Sequence, residues 1–258
     1  MIPGRGASGP PFTERDIVNE KTVSAIHHRK SGKLSDKWES YLRYYDALFL
    51  PRQDRDISLL EIGVQNGGSL ETWAEYFANA KKIVGCDVDP RCGSLTYDDE
   101  RISVVIGDVR EAATFQKIQS LSQTFDIIID DGSHMPKDII KAFVDYFPIV
   151  KPGGTFIIED CCTLYWDQYD GGLLSETTPY ALFKKLIDVL NFEFWQNECS
   201  IETYLRSFFP KKSTPEFILQ GWIESIEFRN SVITVTKAAS PTHQKLGDRT
   251  VTGRSRII

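Results

Sequence analysis

The 258-residue chain has no run of the roughly 18 apolar residues that a membrane-spanning helix needs. Its first residues, Met1-Ile2-Pro3-Gly4-Arg5-Gly6, hold no apolar core of a secretory signal. These two gaps lead us to expect a cytoplasmic protein with no membrane partner. A surplus of positive charge is also missing. The 30 Lys and Arg face 36 Asp and Glu, a net charge of −6, so the chain lacks the basic footprint of a nucleic-acid binder. The five cysteines, Cys86, Cys92, Cys161, Cys162 and Cys199, form no CxxC pair, two are adjacent, and their number is odd. A disulfide framework or a zinc site fits this poorly, and reduced thiols fit better. With 41 % hydrophobic and 26 % charged residues, collagen-like, largely disordered and coiled-coil readings are excluded. At roughly 150 residues per domain, one large or two small domains are allowed.

Residues 1–14 hold three Pro and three Gly, and residues 238–258 run polar, so both ends are read as flexible tails around a single domain over 15–237. Near its start, Ser35-Asp36-Lys37-Trp38-Glu39 offers a Ser N-cap and an acid in the first turn. Trp38, Tyr41, Leu42, Tyr45 and Leu48 then follow at helical spacing, which predicts an amphipathic helix whose aromatic stripe is core or an interface of a homo-oligomer. From residue 57, short β-branched runs at 57–62, 82–88, 102–106, 125–129 and 155–158 alternate with helical patterns such as 69–80, 109–121 and 136–150. Continuous apolar runs suit strands buried on both faces of a parallel sheet, with helices as crossovers. Residues 223–229 and 232–237, joined by Asn230-Ser231, read as a hairpin. The expected fold is α/β: a Rossmann-like, doubly wound, mostly parallel sheet with a C-terminal antiparallel hairpin and helices on both faces.

In open α/β sheets ligands bind beyond the carboxyl ends of the strands. All five predicted parallel strands deliver acid there: Glu61, then Asp87 and Asp89, Asp108, Asp130 and Asp131, and Glu159 and Asp160. One such acid is an ordinary helix cap; five together ask for a ligand. The glycine loop 63–68 aligns with a GxGxxG dinucleotide fingerprint, except that Gln65 stands at the middle position that lets backbone approach a pyrophosphate. A ring of carboxylates repels pyrophosphate but suits sulfonium, ammonium and ribose hydroxyls, as in S-adenosylmethionine (SAM).

Glu61-Ile62-Gly63 with Gly67, Asp87 24 residues beyond Gly63, and Gly107-Asp108 resemble the first three motifs of class I SAM-dependent methyltransferases. The resemblance implies that the 63–68 loop wraps the methionine portion, that Asp87 takes the ribose hydroxyls, and that Asp108 lies by the adenine amine. Glu61, Gly63, Gly67, Ser69, Asp87, Asp108, Val109 and Asp130 are then the expected cofactor-binding residues. Gln65-Asn66 departs from the family's glycines. A narrower set is more specific: Ile129-Asp130-Asp131-Gly132-Ser133-His134, Ile158-Glu159-Asp160 through Tyr165-Trp166, Ser35-Asp36-Lys37-Trp38 and Gly171-Gly172. Over residues 33–172 these resemble the macrocin and mycinamicin sugar O-methyltransferases, with the related cephalosporin hydroxylase-type and rhamnosyl O-methyltransferase proteins.

Asp131, Glu159 and Asp160 end neighbouring strands about 4.8 Å apart. Three hard oxygen donors suit Mg²⁺, and the resemblance implies that metal at these positions. It also implies a catalytic base at His134, beside Asp131. Tyr165 and Trp166 are either acceptor contacts or a lid packing on the protein. The leading expectation is Mg²⁺-dependent methyl transfer from SAM to a sugar hydroxyl of a glycosylated metabolite or polysaccharide precursor. An NAD-dependent oxidoreductase or hydroxylase-type relative, and a non-catalytic SAM-binding scaffold, are the alternatives.

Overall fold

Along a strand, side chains point alternately to the two faces. Leu59, Ile83, Ile129 and Ile157 fall on one face and Leu60, Val84, Ile128 and Phe156 on the other, all fully buried. Both faces therefore need cover. The computed structural model, which describes residues 21–196 and 198–254, supplies it. The expected N-terminal tail, residues 1–14, lies outside the described residues.

Five parallel strands, β1 (Ser58–Ile62), β2 (Lys82–Asp87), β3 (Ile102–Ile106), β4 (Phe125–Asp130) and β5 (Val150–Ile158), join an antiparallel pair, β6 (Ile223–Arg229) and β7 (Val232–Lys237). They form one sheet in the order β3-β2-β1-β4-β5-β7-β6. Helices α1 (Val23–Arg29), α2 (Glu39–Phe49) and α3 (Gly68–Tyr76) contribute to one buried cluster. Helices α4 (Ala112–Leu121), α5 (Pro136–Tyr146) and α6 (Pro179–Leu190) contribute to the other. The chain leaves β1 toward β2 and β3, then returns to β4 on the opposite side of β1. A crevice opens at such a switch point, outside the carboxyl ends of the strands. The expected doubly wound fold is the observed one.

The aromatic stripe of α2 is core. Tyr45 stacks on Phe49 with ring centroids 4.9 Å apart, and Trp73 of α3 meets both rings edge-on at 5.5 and 5.8 Å. Burying each such ring contributes about 1.5–3 kcal/mol. The start of α2 corrects the sequence reading: the helix begins at Glu39, with Trp38 and not Ser35 at its N-cap. Residues 33–38 run non-helical because Lys37 and Trp38 are bonded to acids at the sheet edge.

Three other ends move for local reasons. Helix α3 stops at Tyr76, not Ala80, where the Arg101 guanidinium takes the carbonyls of Ala74, Phe77 and Ala78. Helix α4 starts late, at Ala112, because the Asp108 carboxylate captures the N–H of Arg110 in a turn. Helix α5 ends at Tyr146 ahead of Pro148, which has no N–H to continue it. Past β7, residues 238–246 are tied down, contrary to the expected tail from 238. Ala238 is buried, His243 Nε2 lies 2.9 Å from the Leu219 carbonyl, and the Lys245 N–H donates to Glu193.

Candidate active site

The parallel registers carry Asp87, Asp108, Asp130, Asp131, Glu159 and Asp160 to one edge of the sheet. Above it lies a cleft of about 1210 Å³, walled by the 63–69 loop, Asp87, Asp131, His134, Glu159, Asp160 and the 34–38 segment. A smaller cleft of about 110 Å³ sits between Asp87, Asp108, Val109 and Asp130, and the two share Gly63 and Asp87.

On the β1–β3 side the acids are held by nearby backbone. Asp87 accepts N–H bonds from Val64 at 2.8 Å, Gln65 at 3.0 Å and Asp89 at 2.8 Å. Burial opposes the charged form, yet these three N–H groups hold its carboxyl below the usual range. Asp108 is held low by the guanidinium of Arg110. Gly63, at φ 92°, allows the β1 and β4 loops to touch, since a Cβ there would lie 2.1 Å from the Asp131 carbonyl oxygen. Gln65, where the sequence departs from glycine, adopts φ 49°. Ser69 lines the large cleft and donates to Glu61 Oε2 at 2.6 Å. Glu61 has no exposed surface, so it faces the interior and not the cleft. Asp130 Oδ2 is buried without a hydrogen-bond partner, and burial pushes this carboxyl up to about 7.

On the β4–β5 side the acids are held by side chains from far along the chain. Lys37 Nζ donates to Asp131 Oδ2 at 2.6 Å and to Glu159 at 2.9 and 3.0 Å, and lies 3.4 Å from Glu61 Oε1. Burial alone lowers an ammonium pKa, but the carboxylates of Asp131, Glu159 and Glu61 hold Lys37 well above its ordinary value. The Tyr45 hydroxyl donates to Glu159 Oε1 at 2.5 Å. Trp38 Nε1 donates to Asp160 Oδ1 at 3.0 Å, and the Tyr41 hydroxyl accepts the Asp160 N–H at 3.1 Å.

Asp131, His134 and Asp160 each offer one ligand atom, all within 4.8 Å of one another. His134 Nε2 stands 3.9 Å from Asp160 Oδ2. His134 and Asp160 both adopt left-handed backbone, φ 58° and 51°, which fixes the exit of the two loops at the cleft. Glu159, expected beside Asp131 and Asp160, is buried behind them against Lys37 and Tyr45. Tyr165 is set apart: it lines a separate cleft of about 590 Å³ with its ring 5.3 Å from Tyr180. Trp166 packs its ring 6.1 Å from Tyr169, itself 6.3 Å from His134. Lys37, Trp38, Tyr41 and Tyr45 are the site residues that reading the sequence missed. Lys37-Trp38 stood inside a quoted motif, but a lysine near a helix start reads as solvent-facing.

Residues 60–161 match the family described as a methyltransferase domain. That span holds the glycine loop and every acid of the rim, whereas Lys37, Trp38, Tyr41 and Tyr45 precede it. The chain is 32 % identical over 167 residues to 8-demethyl-8-alpha-L-rhamnosyl tetracenomycin-C 2'-O-methyltransferase of Streptomyces olivaceus, covering 61 % of this chain and 43 % of that one. It is 32 % identical over 181 residues to demethylmacrocin O-methyltransferase of Streptomyces fradiae, covering 65 % and 45 %. The chain thus spans less than half the length of these relatives. The solved MycE methyltransferase from the mycinamycin biosynthetic pathway, in complex with Mg, SAH and mycinamycin VI, superposes with a TM-score of 0.70 at 26 % identity. That match covers 91 % of this chain and 57 % of the other, so it extends beyond residues 60–161 to the flanking elements. No helix among the described residues is long and apolar enough to cross a membrane.

Proposed function

We propose that the chain is a Mg²⁺-dependent O-methyltransferase that moves the methyl group of SAM to a sugar hydroxyl of a glycosylated natural product or polysaccharide precursor. The observation that carries this reading is the Asp131–His134–Asp160 group beside the Gly63–Asp87 cradle, at the switch point of the sheet. The named relatives that methylate sugar-bearing metabolites support the acceptor class.

The donor set fits a hard divalent ion: carboxylate oxygens from Asp131 and Asp160, with Glu159 adjacent and no thiolate. Bound there, Mg²⁺ supplies positive charge that lowers the energy of a developing alkoxide and holds a diol. The rest falls to the chain. Gly63, Ser69 and the Asp87-braced loop, turned at Gly67, hold SAM, with Asp108, Val109 and Asp130 on the adenine side. His134 accepts the proton of the sugar hydroxyl, whose oxygen takes the methyl as the sulfur–carbon bond breaks and S-adenosylhomocysteine leaves. Alignment of that oxygen with the methyl carbon accounts for much of the acceleration. The five cysteines, none of them in a disulfide, suit a cytoplasmic setting.

Mass spectrometry after incubation with methyl-labelled SAM, Mg²⁺ and a glycoside library tests the reading, and one labelled methyl on a sugar is the expected result. SAM binding with no transfer across the library favours a scaffold. Thermal stabilisation by NAD(H) and not by SAM favours an oxidoreductase.

A further inference from the structure

Residues 33–38 form a strap that lies over the cofactor loop and ends in the acid cluster. At its beginning, the Leu34 carbonyl accepts the Gly68 N–H at 3.1 Å, and a Cβ on Gly68 would come within 2.4 Å of the Lys33 and Leu34 carbonyls. Lys33 is anchored to Glu71 through both its N–H and its ammonium, each at 2.9 Å. At its end, Lys37 reaches between β4 and β5 with only 5 % of its side chain exposed.

There the ammonium takes Asp131 Oδ2 and both oxygens of Glu159. Glu159 Oε1 also accepts from Tyr45. Glu159 therefore has its hydrogen-bonding capacity directed at Lys37 and Tyr45, while among the described residues Asp131, His134 and Asp160 gather as a ligand group. An ammonium binds oxygen at about 2.8 Å, whereas Mg²⁺ demands about 2.1 Å and near-octahedral directions. Both Glu159 oxygens already face the ammonium, as does Asp131 Oδ2, so an ion taking Glu159 together with Asp131 would compete with Lys37 for the same oxygens.

We propose that Lys37 and the divalent ion are alternative occupants of the Asp131–Glu159 pair, so that loading the metal withdraws Lys37 and releases the strap at its C-terminal end. This rests on the metal reading above and adds a residue and a motion to it. In the metal-free protein Lys37 serves as the built-in counter-ion that lets Glu61, Asp131 and Glu159 stay packed together. On loading, its departure clears Glu159 to join Asp131 and Asp160 and opens the roof of the cleft beside His134.

Two measurements on the full chain, with Mn²⁺ as the probe, test this. In the first, wild-type protein is treated with an amine-acetylating reagent with and without Mn²⁺, and Lys37 is read by peptide mass spectrometry against exposed Lys81. Lys37 is expected to be protected without metal and labelled with it. In the second, Mn²⁺ affinity is read by electron paramagnetic resonance without SAM. Outer-shell groups move metal affinity by about 10- to 100-fold, and Lys37→Met is expected to tighten binding by about 10-fold or more. Lys37→Gln serves as a second neutral variant should the first fail to fold. Mn²⁺ binding with Lys37 still protected, or equal affinity in the neutral variants, overturns the competition and leaves the metal reading standing. No Mn²⁺ binding in wild type or variants, or binding that survives Asp131→Asn, overturns the metal site and the competition together.

Discussion

The two halves of the sheet edge carry similar numbers of carboxylates and use them in opposite ways. On the β1–β3 half, Asp89 and Asp108 each bond the N–H and guanidinium of the arginine two residues on, and Asp87 braces the loop of the neighbouring strand. These acids shape turns. On the β4–β5 half, Asp131, Glu159 and Asp160 are met by Lys37, Tyr45, Trp38 and Tyr41, residues 94 to 122 positions away in sequence. These acids remain clustered, and the fold expends aromatic packing on α2 to keep them so. Acid count alone therefore does not locate chemistry. What locates it is whether the countercharge is local or brought in from elsewhere in the chain.

The contrast breaks first at Asp131. Replacing Asp131 by Asn leaves the fold's hydrogen-bonding shape but removes one charge from the proposed metal group and from Lys37. Turnover is expected to fall on the order of 10³-fold, while SAM affinity stays within about 3-fold, because the charge acts on the reacting oxygen and not on the cofactor cradle. Loss of SAM affinity in step with turnover would mean that the two halves act as one. Next in size is His134→Ala, expected to cost on the order of 10²-fold in turnover with stability little changed. Single-turnover rate at saturating SAM and Mg²⁺ is the measurement. A near wild-type rate would remove His134 from proton transfer.

Much of this fold can be read from sequence because its signals are short-range. The β-branched runs predict the five parallel strands and the hairpin, and the registers agree with them. Gly63, Gly67, Asp87 and Asp108 are read from a resemblance to short family motifs, and the strand ends bring Gly63, Asp87 and Asp108 to one cleft. The remainder is tertiary. Ser35 looks like an N-cap, but a cap contributes only about 1 kcal/mol. It yields to Lys37, whose removal from its buried partners would cost about 3–5 kcal/mol. Helix α3 ends early for a guanidinium 25 residues beyond Tyr76. Residues 173–222 carry no recognised motif, yet Leu182, Phe183 and Leu186 of α6 complete the core of the second face. Glu159 looked equivalent to Asp131 and Asp160, and only its burial behind Lys37 separates them.

Asp130 lies where the halves meet, and its response to pH sharpens the comparison. Burial, opposed only by the Gly132 N–H, pushes its carboxyl up to about 7. The native state therefore holds a proton that the unfolded chain releases near pH 4. That stabilisation is fully present below about pH 4 and is lost as pH rises through 7, amounting to at most about 4 kcal/mol. Asp130→Asn stays neutral throughout. Its stability relative to wild type should rise between pH 5 and pH 8 in urea titrations, by about 2–4 kcal/mol. A difference that does not change with pH would mean that Asp130 is charged in the native protein and belongs with its ionised neighbours.

The smallest effect tests the turn-shaping half on its own terms. Gln65 adopts φ 49°, a conformation that costs an L-residue roughly 1–2 kcal/mol. It is kept there by its N–H bond to Asp87 and by its carbonyl, which accepts the Cys92 thiol at 3.2 Å. Both bonds are main-chain bonds that glycine would retain. Gln65→Gly therefore relieves the strain but loosens the unfolded chain by about 0.5–1 kcal/mol, so the net gain should be about 0.5 kcal/mol. In a domain of this size that raises the melting temperature by about 1–2 °C. If the loop only shapes the cradle, turnover should follow wild type. A drop in SAM affinity without a drop in stability would instead place the Gln65 side chain among the groups that touch the cofactor, and this half of the rim would then have chemistry of its own.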